Sequence, residues 1–372
     1  MPKKLRIGLI GAGGIMRGAH LNPGWFADPD CEVVAVCDNN KDAAAGMADD
    51  FNIPSIFEDY RELLEVEEID AVDIATPNTS HAPMTLAALK AGKHVLCEKP
   101  LSTTTASIRS IEEEARKAGR LVMTAQSQRF SPSAVAIKRF VEKQGLGNIY
   151  HSRIHAVRRN LMPSSPSMID QSLSGGGPCM DIGVHALDLG LWLMNFPKPV
   201  RATGKLMVNF ARDHDMPGGW GEWDRERVTT EDFVSGFIHF EDGATMVLEA
   251  CWLQHQQESQ DLSARLFGRN GSIEWPSGNY ASAVNRVLID SKVLPATGLQ
   301  KSHTEEILAF AAAIREGKPS PVPPSESLRV IAILEALYES DRLNREVELP
   351  LQTGKAKEPA ARNEVLANPP RT

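Results

Sequence analysis

Short apolar runs alternate with helix-favouring segments through the first third of the chain. These runs, several of them rich in β-branched residues, cover residues 5–10, 32–37, 69–75, 93–97 and 120–125. Helices are predicted between them at about 42–51, 81–91 and 104–118. Strands that alternate with helices at this pitch indicate βαβ units and therefore a parallel sheet.

The pattern changes in the second half, where longer runs separated by turn signals predict a mostly antiparallel sheet. The predicted strands cover residues 148–158, 200–210, 233–240 and 244–252. Asp242-Gly243 and Asn270-Gly271 are dipeptides of the kind found at tight hairpin turns. Helices are predicted at about 178–195, 303–315 and 326–340.

Together these patterns predict an α/β protein of two domains. An N-terminal Rossmann domain with a parallel sheet is expected over residues 1–125. An α+β domain with a large, mostly antiparallel open sheet is expected over residues 126–350, and its last helices are expected to pack on the first domain. Residues 351–372 lack apolar periodicity and are expected to form a mobile tail.

Composition agrees with two globular domains and narrows the classes of partner. The 372 residues exceed the roughly 100 to 200 of a single domain. With 42% hydrophobic and 24% charged residues, the chain is not disordered, collagen-like or a coiled coil as a whole. A net charge of -8 argues against a protein that mainly binds nucleic acid or an acidic membrane surface. No apolar run approaches the roughly 20 residues that span a bilayer.

The five cysteines are odd in number and widely spaced, and none belongs to a CxxC pair. Neither a disulfide framework nor a metal site is therefore predicted. Most of the cysteines are expected to be small buried residues, and a reducing cytoplasm is the expected compartment.

A glycine-rich loop follows the first predicted strand. Gly11 allows a sharp turn, and Gly13 lets the backbone approach phosphate oxygens. With Gly14 and Ile15 they form the predicted pyrophosphate site, at the start of the next helix. Met16 stands where the GxGxxG pattern has its third glycine, so the closeness of helix and strand packing is open. A plain glycine turn is the alternative.

Asp38 ends the second predicted strand, where a carboxylate can bind both hydroxyls of an adenosine ribose. Its charge would repel a 2′-phosphate, so NAD is predicted in preference to NADP. Lys41 lies close enough to soften that preference. The alternative is that Asp38 only begins a turn with the two asparagines that follow it.

Acidic and basic side chains on one predicted helix are candidates for chemistry. Asp181 and His185 are four residues apart and therefore share a face, one turn apart. Pro178 suits the first helical turn, and the glycines at 175–177 are expected to give a flexible entry. The spacing alone leaves three interpretations open, which are a helix-stabilising pair, a catalytic pair and two metal ligands.

Lys99 favours catalysis, because it follows a parallel strand's carboxyl end, where ligands bind in open α/β sheets. Oxidation of a secondary alcohol needs a proton acceptor and positive charge near the oxygen while hydride leaves for a nicotinamide. Histidine titrates near neutral pH and suits the first task, and lysine suits the second.

Four segments carry a resemblance to a known family. They are AGKHVLCEKPLS with Glu98, Lys99 and Pro100, GGGPCMDIGVHALDL with Asp181 and His185, ATPNTSH at 75–81, and QSQRFSP at 126–132. Over roughly residues 5–345 the chain resembles the glucose-fructose oxidoreductase, inositol dehydrogenase and MocA-like family. The resemblance implies oxidation of a secondary hydroxyl of a sugar, sugar derivative or inositol by hydride transfer to nicotinamide.

The resemblance also assigns roles to residues. It implies a catalytic role for Lys99, which we expect to hold the reacting oxygen, with His185 as general base and Asp181 binding a neighbouring hydroxyl. Whether His185 or Lys99 takes the proton is left open, because the two groups can titrate as a coupled pair. It further implies that a cis peptide bond precedes Pro100.

More cofactor contacts are expected around the nicotinamide half. The residues are Thr76, Pro77, Asn78, His81, Glu98 and Lys99. In relatives Glu98 sits beside the nicotinamide ribose, and His81 is expected to pack behind the loop at 76–78. A simple helix cap is the alternative for that loop.

Candidates for substrate contact come from the second half and its border. They are Arg129, Arg158, Trp220 and Trp223. The tryptophans lie in the Gly- and Trp-rich segment 215–227, a long loop of the kind that carries function, and could stack on a sugar face. Solvent-facing arginines and a subunit contact for the loop are the alternatives. The sequence does not choose among inositol, a free sugar, a glycoside and a nucleotide sugar.

Two other functions fit the same motifs. One is an NAD-dependent glycosidase that uses transient oxidation, and the other is a non-catalytic sensor of sugar or NAD. The charged trio Lys99, Asp181 and His185 argues against the sensor. A homodimer or homotetramer through the second sheet is expected, with contacts at Phe233, Phe237 and Ile238.

Overall fold

A computed structural model describes residues 4–143, 145–295 and 301–351. Among these residues the chain forms two compact units, Met1–Lys143 with Lys292–Ile331, and Gln144–Ser291 with Ala332–Thr372. The division predicted after residue 125 falls inside the first unit, and the boundaries of functional domains stay a prediction. The tail predicted for residues 351–372 lies outside the described residues from 352 onward.

The first unit contains a six-stranded sheet whose strands are all parallel. Its strands are β1 (Leu5–Ile10), β2 (Cys31–Cys37), β3 (Ser55–Phe57), β4 (Ala71–Ile74), β5 (His94–Glu98) and β6 (Val122–Ala125). Their order is β3-β2-β1-β4-β5-β6, so the order reverses beside β1. The two sides of such a reversal open a crevice at the carboxyl ends of the strands, which is where ligands bind in open α/β sheets. The predicted Rossmann sheet is confirmed.

Helices connect the strands, and several of them start at a side chain that accepts hydrogen bonds as an N-cap. The helices are α1 (Lys41–Phe51), α2 (Tyr60–Leu64), α3 (Asn78–Lys90), α4 (Thr105–Ala118), α5 (Pro132–Glu142), α6 (Pro166–Ile169), α7 (Gln171–Ser174), α8 (Val184–Leu193), α9 (Ser302–Glu316) and α10 (Pro324–Leu343). Asn40 accepts two backbone N–H groups at the start of α1, and Thr104 accepts one at the start of α4. No helix in the described part of the chain is both long and apolar enough to cross a membrane.

Helix α9 completes the core of the first unit although it comes from late in the chain. Ile307 and Phe310 are fully buried there, together with Leu9 and Met16. The Phe310 ring meets the Trp25 ring edge-on at 6.1 Å between centroids. For α9, the predicted return of the late helices to the first domain is confirmed.

The second unit contains a nine-stranded, mostly antiparallel sheet, as predicted. Its strands are β7 (Ile149–Arg158), β8 (Pro199–Met207), β9 (Phe233–Phe240), β10 (Thr245–Cys251), β11 (Gln260–Gly268), β12 (Gly271–Trp275), β13 (Asn279–Val284), β14 (Val287–Lys292) and β15 (Val347–Glu348). Their order is β14-β13-β12-β11-β7-β10-β9-β8-β15, and the pair of β7 and β10 is parallel. Both predicted hairpins are present. Asp242-Gly243 lies in the turn between β9 and β10, whereas the turn between β11 and β12 is Arg269-Asn270, and Gly271 is the first residue of β12 and pairs with Gly268.

The residues predicted for subunit contacts differ in exposure. Phe237 is 38% exposed and Phe233 is half-buried on β9. Ile238 points to the other face of this strand and is fully buried within the unit, so its predicted contact with a partner is wrong.

Candidate active site

The glycine loop after β1 presents open backbone. Gly11 has a φ of +103°, and a Cβ there would lie 2.4 Å from the Ala75 carbonyl oxygen, so no other residue fits. A Cβ at Gly13 or Gly14 would meet no atom of the described chain within 4 Å. Ile15 is exposed beside them. The loop therefore has room for a ligand to approach its backbone closely.

The helix predicted after this loop is present but short. Residues Met16–His20 form a π-helical turn, and Gly24–Ala27 form a 3-10 turn. Met16 is fully buried in the core, where the pattern's third glycine would have allowed a closer helix. An apolar side chain thus occupies the place of the pattern's third glycine, while the backbone at Gly13 and Gly14 stays open.

Asp38 joins the end of β2 to the glycine loop. Its carboxylate accepts the Ala12 N–H at 2.7 Å and the Asn40 N–H at 2.8 Å. It therefore both begins the turn into α1 and lies against the loop. Lys41 pairs with Glu58 at 2.9 Å on the surface, which engages its charge away from Asp38. An open glycine backbone beside such a carboxylate could hold the pyrophosphate and ribose of a dinucleotide.

His81 ties two loops at the carboxyl edge of the sheet. Pro77 is the residue before α3, which begins at Asn78. His81 is buried, with Nδ1 2.7 Å from the Pro100 carbonyl oxygen and Nε2 2.7 Å from that of Thr76. Burial lowers the pKa of His81. The side chain thus packs behind the loop at 76–78, as expected.

Glu98 and Lys99 stand at the carboxyl end of β5. Glu98 is buried, and its Oε2 accepts the Lys99 backbone N–H at 3.0 Å. The peptide bond between Lys99 and Pro100 is cis, as the resemblance implied. Both residues therefore lie at the edge of the sheet where a ligand of this fold binds.

A buried polar network behind Glu98 was not predicted. The His20 ring lies between Asp73 and Glu98, at 2.8 Å and 3.0 Å, and the Trp25 indole N–H donates to Asp73 at 2.7 Å. Burial lowers the pKa of His20, but the charges and hydrogen bonds of Asp73 and Glu98 outweigh it and hold that pKa well above its usual range. A carboxylate inside the apolar strand β4 is the sequence signal that could have revealed the network.

The predicted helix at 178–195 begins with a wider turn than expected. Residues Cys179–Gly183 are π-helical and continue directly into α8, so Asp181 lies in the π turn and His185 in the first turn of α8. Turns of this type recur at functional sites. The regular α-helical face predicted for the pair is therefore wrong in its first half.

Asp181 is held by two neighbours in the second unit. Its Oδ2 accepts the Trp252 indole N–H at 3.0 Å and lies 3.6 Å from Nη1 of Arg158. The Arg158 guanidinium in turn stacks over the Trp220 ring, 4.6 Å from its centroid. Trp220 is 54% exposed. Arg158 thus lies between Asp181 and Trp220 and contacts both; Arg158 and Trp220 are two of the predicted substrate residues.

The substrate contacts predicted for Trp223 and Arg129 are not supported. Trp223 is only 5% exposed, its indole N–H donates to the Ala211 carbonyl, and Arg225 covers its ring. Arg129 is buried and paired with Glu326. Neither side chain presents a surface on which a sugar could lie.

A second unpredicted network holds the start of the helix that carries Asp181. Oε1 of Glu231 accepts the N–H groups of Gly177 and Cys179 and the hydroxyl of Tyr338 at 2.8 to 3.3 Å. A Cβ at Gly176 would lie 2.1 Å from the Tyr338 hydroxyl, and one at Gly177 2.0 Å from the Glu231 carbonyl oxygen. These glycines therefore serve close packing, and the flexible entry predicted for them is wrong.

No group of three or more His, Cys, Asp or Glu side chains that could hold a metal ion occurs in the described residues. Candidate side chains for the chemistry occur in each unit. In the first unit these are Glu98 and Lys99 at the end of β5. The glycine loop and Asp38 belong to the same unit. In the second unit the candidates are Asp181 and His185.

Comparison with known proteins matches both halves of the chain. A family model described as an oxidoreductase family with an NAD-binding Rossmann fold matches residues 5–126, and a model of the Gfo/Idh/MocA C-terminal domain matches residues 134–274. The D-glucoside 3-dehydrogenase of Escherichia coli (strain K12) is 30% identical over 347 residues, which cover 93% of this chain and 97% of that relative.

Two further relatives extend the comparison. The myo-inositol 2-dehydrogenase of Thermotoga maritima is 25% identical over 93% of this chain and 98% of its own length. A solved structure of levoglucosan dehydrogenase in complex with NADH and levoglucosan superposes with a TM-score of 0.79 at 25% identity, covering 94% of this chain and all of that one. The similarity thus extends over both units.

Proposed function

The chain belongs to the glucose-fructose oxidoreductase, inositol dehydrogenase and MocA family, and from that membership we propose that it is an NAD-dependent dehydrogenase of a sugar, sugar derivative or inositol. The observation that carries the proposal is the match to a glucoside dehydrogenase over nearly its whole length. The family motifs with Lys99, Asp181 and His185 all fall within that match.

The proposed cofactor is NAD, with NADP the less favoured choice. The open backbone of Gly13 and Gly14 supports binding of the pyrophosphate, and Asp38 beside it supports binding of the ribose diol. A 2′-phosphate would bring negative charge against the Asp38 carboxylate, which is unfavourable. When bound, NAD supplies a nicotinamide ring that accepts hydride.

The proposed chemistry divides the work among three side chains. The carbinol C–H bond breaks and its electron pair leaves as hydride. The hydroxyl proton passes either to His185, with Lys99 already an ammonium, or to a neutral Lys99 amine, which thereby becomes the ammonium. The Lys99 ammonium stabilises negative charge on the oxygen as the carbonyl forms. Asp181 accepts a hydrogen bond from a neighbouring hydroxyl. The products are a ketone, reduced cofactor and one proton, so atoms and electrons balance.

The proposed substrate is a polyhydroxylated ring. Asp181 and Arg158 offer a carboxylate and a guanidinium to vicinal hydroxyls. The exposed ring of Trp220 stacks against the Arg158 guanidinium. Aromatic faces pack against the C–H groups of a sugar, while charged groups fix the orientation of its hydroxyls. This arrangement supports a sugar or cyclitol and does not distinguish the two.

The test is turnover of a panel of inositols, hexoses and glycosides with NAD, followed by NADH absorbance and product analysis. We expect at least one compound to give a ketone and an equal amount of NADH. Release of an aglycone without net NADH would instead identify the glycosidase. Binding of NAD and sugar without any product would identify the sensor, and either result would overturn the proposal.

We also propose a homodimer or homotetramer that forms through the nine-stranded sheet. The edge strand β14 and its neighbour β13 carry exposed apolar side chains, namely Val284, Val287, Leu288 and Ile289. An apolar sheet edge is stable in water when another chain covers it.

The five cysteines are buried and free, which agrees with the reducing compartment that we propose.

A further inference from the structure

Both ring nitrogens of His20 face carboxylate oxygens. Nδ1 lies 2.8 Å from Oδ2 of Asp73, and Nε2 lies 3.0 Å from Oε1 of Glu98. The same Asp73 oxygen already accepts the Trp25 N–H, and the other Glu98 oxygen accepts the Lys99 N–H. Ionised carboxylates only accept hydrogen bonds, whereas neutral imidazole has one donor and one acceptor. His20 can donate to both ionised carboxylates only as an imidazolium. His81 instead faces two uncharged carbonyl oxygens, and burial lowers its pKa.

The surroundings of His20 agree with a cation at this place. The titratable groups that act on His20 are Asp73 on β4, Glu98 on β5, and His303 and Glu306 on α9. Glu306 is fully buried, and neither of its oxygens has a hydrogen-bond partner among residues 4–143, 145–295 and 301–351. Burial raises the pKa of Glu306 and lowers that of His303, which favours the neutral form of each. His20 remains as the positive charge between two carboxylates.

We propose that His20 is a positioning residue of the dehydrogenase site, an imidazolium that fixes the Glu98 carboxylate and, through it, the Glu98-Lys99 segment. The inference rests on the proposed function, in which Glu98 lies beside the nicotinamide ribose. With Oε1 bound to His20 and Oε2 bound to the Lys99 N–H, the carboxylate has one orientation. Without the His20 side chain, the anchor at Oε1 is lost.

The first test reads the protonation state of His20 directly. In the full-length chain labelled with ¹⁵N-histidine, which contains ten histidines, His20 should show an imidazolium spectrum at pH 8. His20→Gln should remove that signal, and Asp73→Asn should make it titrate at a lower pH. His94 lies at the opposite end of β5 and accepts the Leu121 N–H, so His94→Gln is the matched control and should keep the signal. A spectrum without imidazolium at pH 8 would overturn the inference.

The second test measures NAD binding by calorimetry and then kinetics. Loss of one charge-assisted hydrogen bond corresponds to about 10- to 100-fold, so His20→Gln should weaken NAD binding by that range. KM for NAD should rise, while kcat at saturating NAD should change less. His94→Gln should match the wild type in both. Equal NAD affinity in His20→Gln and wild type would overturn this inference alone. A wild-type chain that binds no NAD would overturn the proposed function, and the role of His20 with it.

Discussion

Single carboxylates have different tasks in this molecule according to their surroundings. Asp38 is partly exposed and accepts backbone N–H groups from the glycine loop and the turn into α1. Asp73 is buried and faces His20 and Trp25. Glu306 is buried without such partners among the described residues. The same functional group therefore positions a loop, balances a cation or lies buried where the neutral form is favoured.

Asp38→Asn should shift the cofactor preference toward NADP. The amide oxygen can still accept a backbone N–H, but the negative charge against a 2′-phosphate is gone. Because juxtaposed like charges cost several kcal/mol, the ratio of kcat/KM for NADP to that for NAD should rise roughly tenfold or more. Asp42→Asn, on an exposed residue of α1, is the control. An unchanged ratio would remove Asp38 from cofactor discrimination.

His185→Ala should slow turnover and leave NAD affinity nearly unchanged. A positioned general base contributes about 10²- to 10⁴-fold to the rate, and kcat should fall by that range. The control is His151→Ala. It removes a half-buried histidine of strand β7 that contacts Thr245 on the neighbouring strand β10. Steady-state kinetics and NAD titration measure both quantities. Wild-type turnover in His185→Ala would exclude His185 from the reaction.

Glu306→Gln should change how stability depends on pH. Burial raises the pKa of Glu306 in the folded chain, so the folded state keeps a proton that the unfolded chain releases above about pH 4.3. The contribution of Glu306 is therefore fully present below that pH and is lost as pH rises toward the folded pKa. The variant should gain stability relative to wild type between pH 5 and pH 8, measured by urea unfolding.

The matched control for this prediction is Glu305→Gln on the same helix, which removes an acidic side chain beside Glu306. Its difference from wild type should be the same at both pH values. Parallel pH profiles for wild type and Glu306→Gln would show that Glu306 is ionised in the folded chain, contrary to the prediction.

Some residues of the candidate site could be predicted from sequence patterns, and others could not. Lys99 and His185 stand in local motifs, and a motif can be read without knowing the fold. The partners of His20 lie 53 and 78 residues away, so only the folded sheet brings them together. Trp223 was wrongly predicted to contact substrate because its burial depends on Arg225 and Ala211 in the folded loop.

At the scale of elements, the start of the helix that carries Asp181 is held by hydrogen bonds and close packing. Glu231 and Tyr338 contact the glycines that precede it, and these contacts leave no room for side chains at 176 and 177. Burial raises the pKa of Glu231. Because Gly177, Cys179 and Tyr338 all donate to Oε1 of Glu231, we expect the helix start to need an oxygen acceptor at this place rather than a charge.

Glu231→Ala should destabilise the chain and reduce turnover, whereas Glu231→Gln should remain close to wild type. The alanine leaves buried N–H and hydroxyl donors unsatisfied, at about 1–3 kcal/mol each. The glutamine keeps an oxygen at the same place. Thermal unfolding and kcat measure the two effects. Equal loss in both variants would mean that the charge of Glu231 matters, which contradicts this account.

Elements buried on both faces were predicted well and exposed ones poorly. The strands of the first sheet read as continuous apolar runs because parallel strands are covered on both sides. Strand β14 is exposed along its whole length and lacks that signal, so it was not predicted. The π turn at Cys179–Gly183 also has no distinct pattern of apolar residues.

At the scale of the whole molecule, each of the two units includes a segment from late in the chain. Of the described residues, 292–295 and 301–331 join the first unit and 332–351 join the second. Two domains could be predicted from length and from the change of pattern near the middle of the chain. The assignment of α9 to the first core depends on packing between Phe310 and Trp25, which no local pattern contains.

Leu288→Asp should weaken the proposed oligomer. Leu288 is 84% exposed on the edge strand β14, and a charge there would be buried in an interface with a partner. Light scattering after gel filtration at micromolar concentration should show a shift toward the monomer mass. Ile56→Asp, on the exposed strand β3 of the other sheet, is the control and should keep the wild-type mass. A monomeric wild type would refute the oligomer.

The most direct test of the account is transfer of deuterium from substrate to cofactor. Sugars, glycosides and inositols deuterated at their carbinol carbons are incubated with NAD and the wild-type chain, and the NADH is analysed by mass spectrometry. The account predicts NADH that carries one deuterium, formed together with a ketone, and a strong loss of both in Lys99→Ala. Failure of every compound to transfer deuterium, or NADH formed without the label, would contradict it.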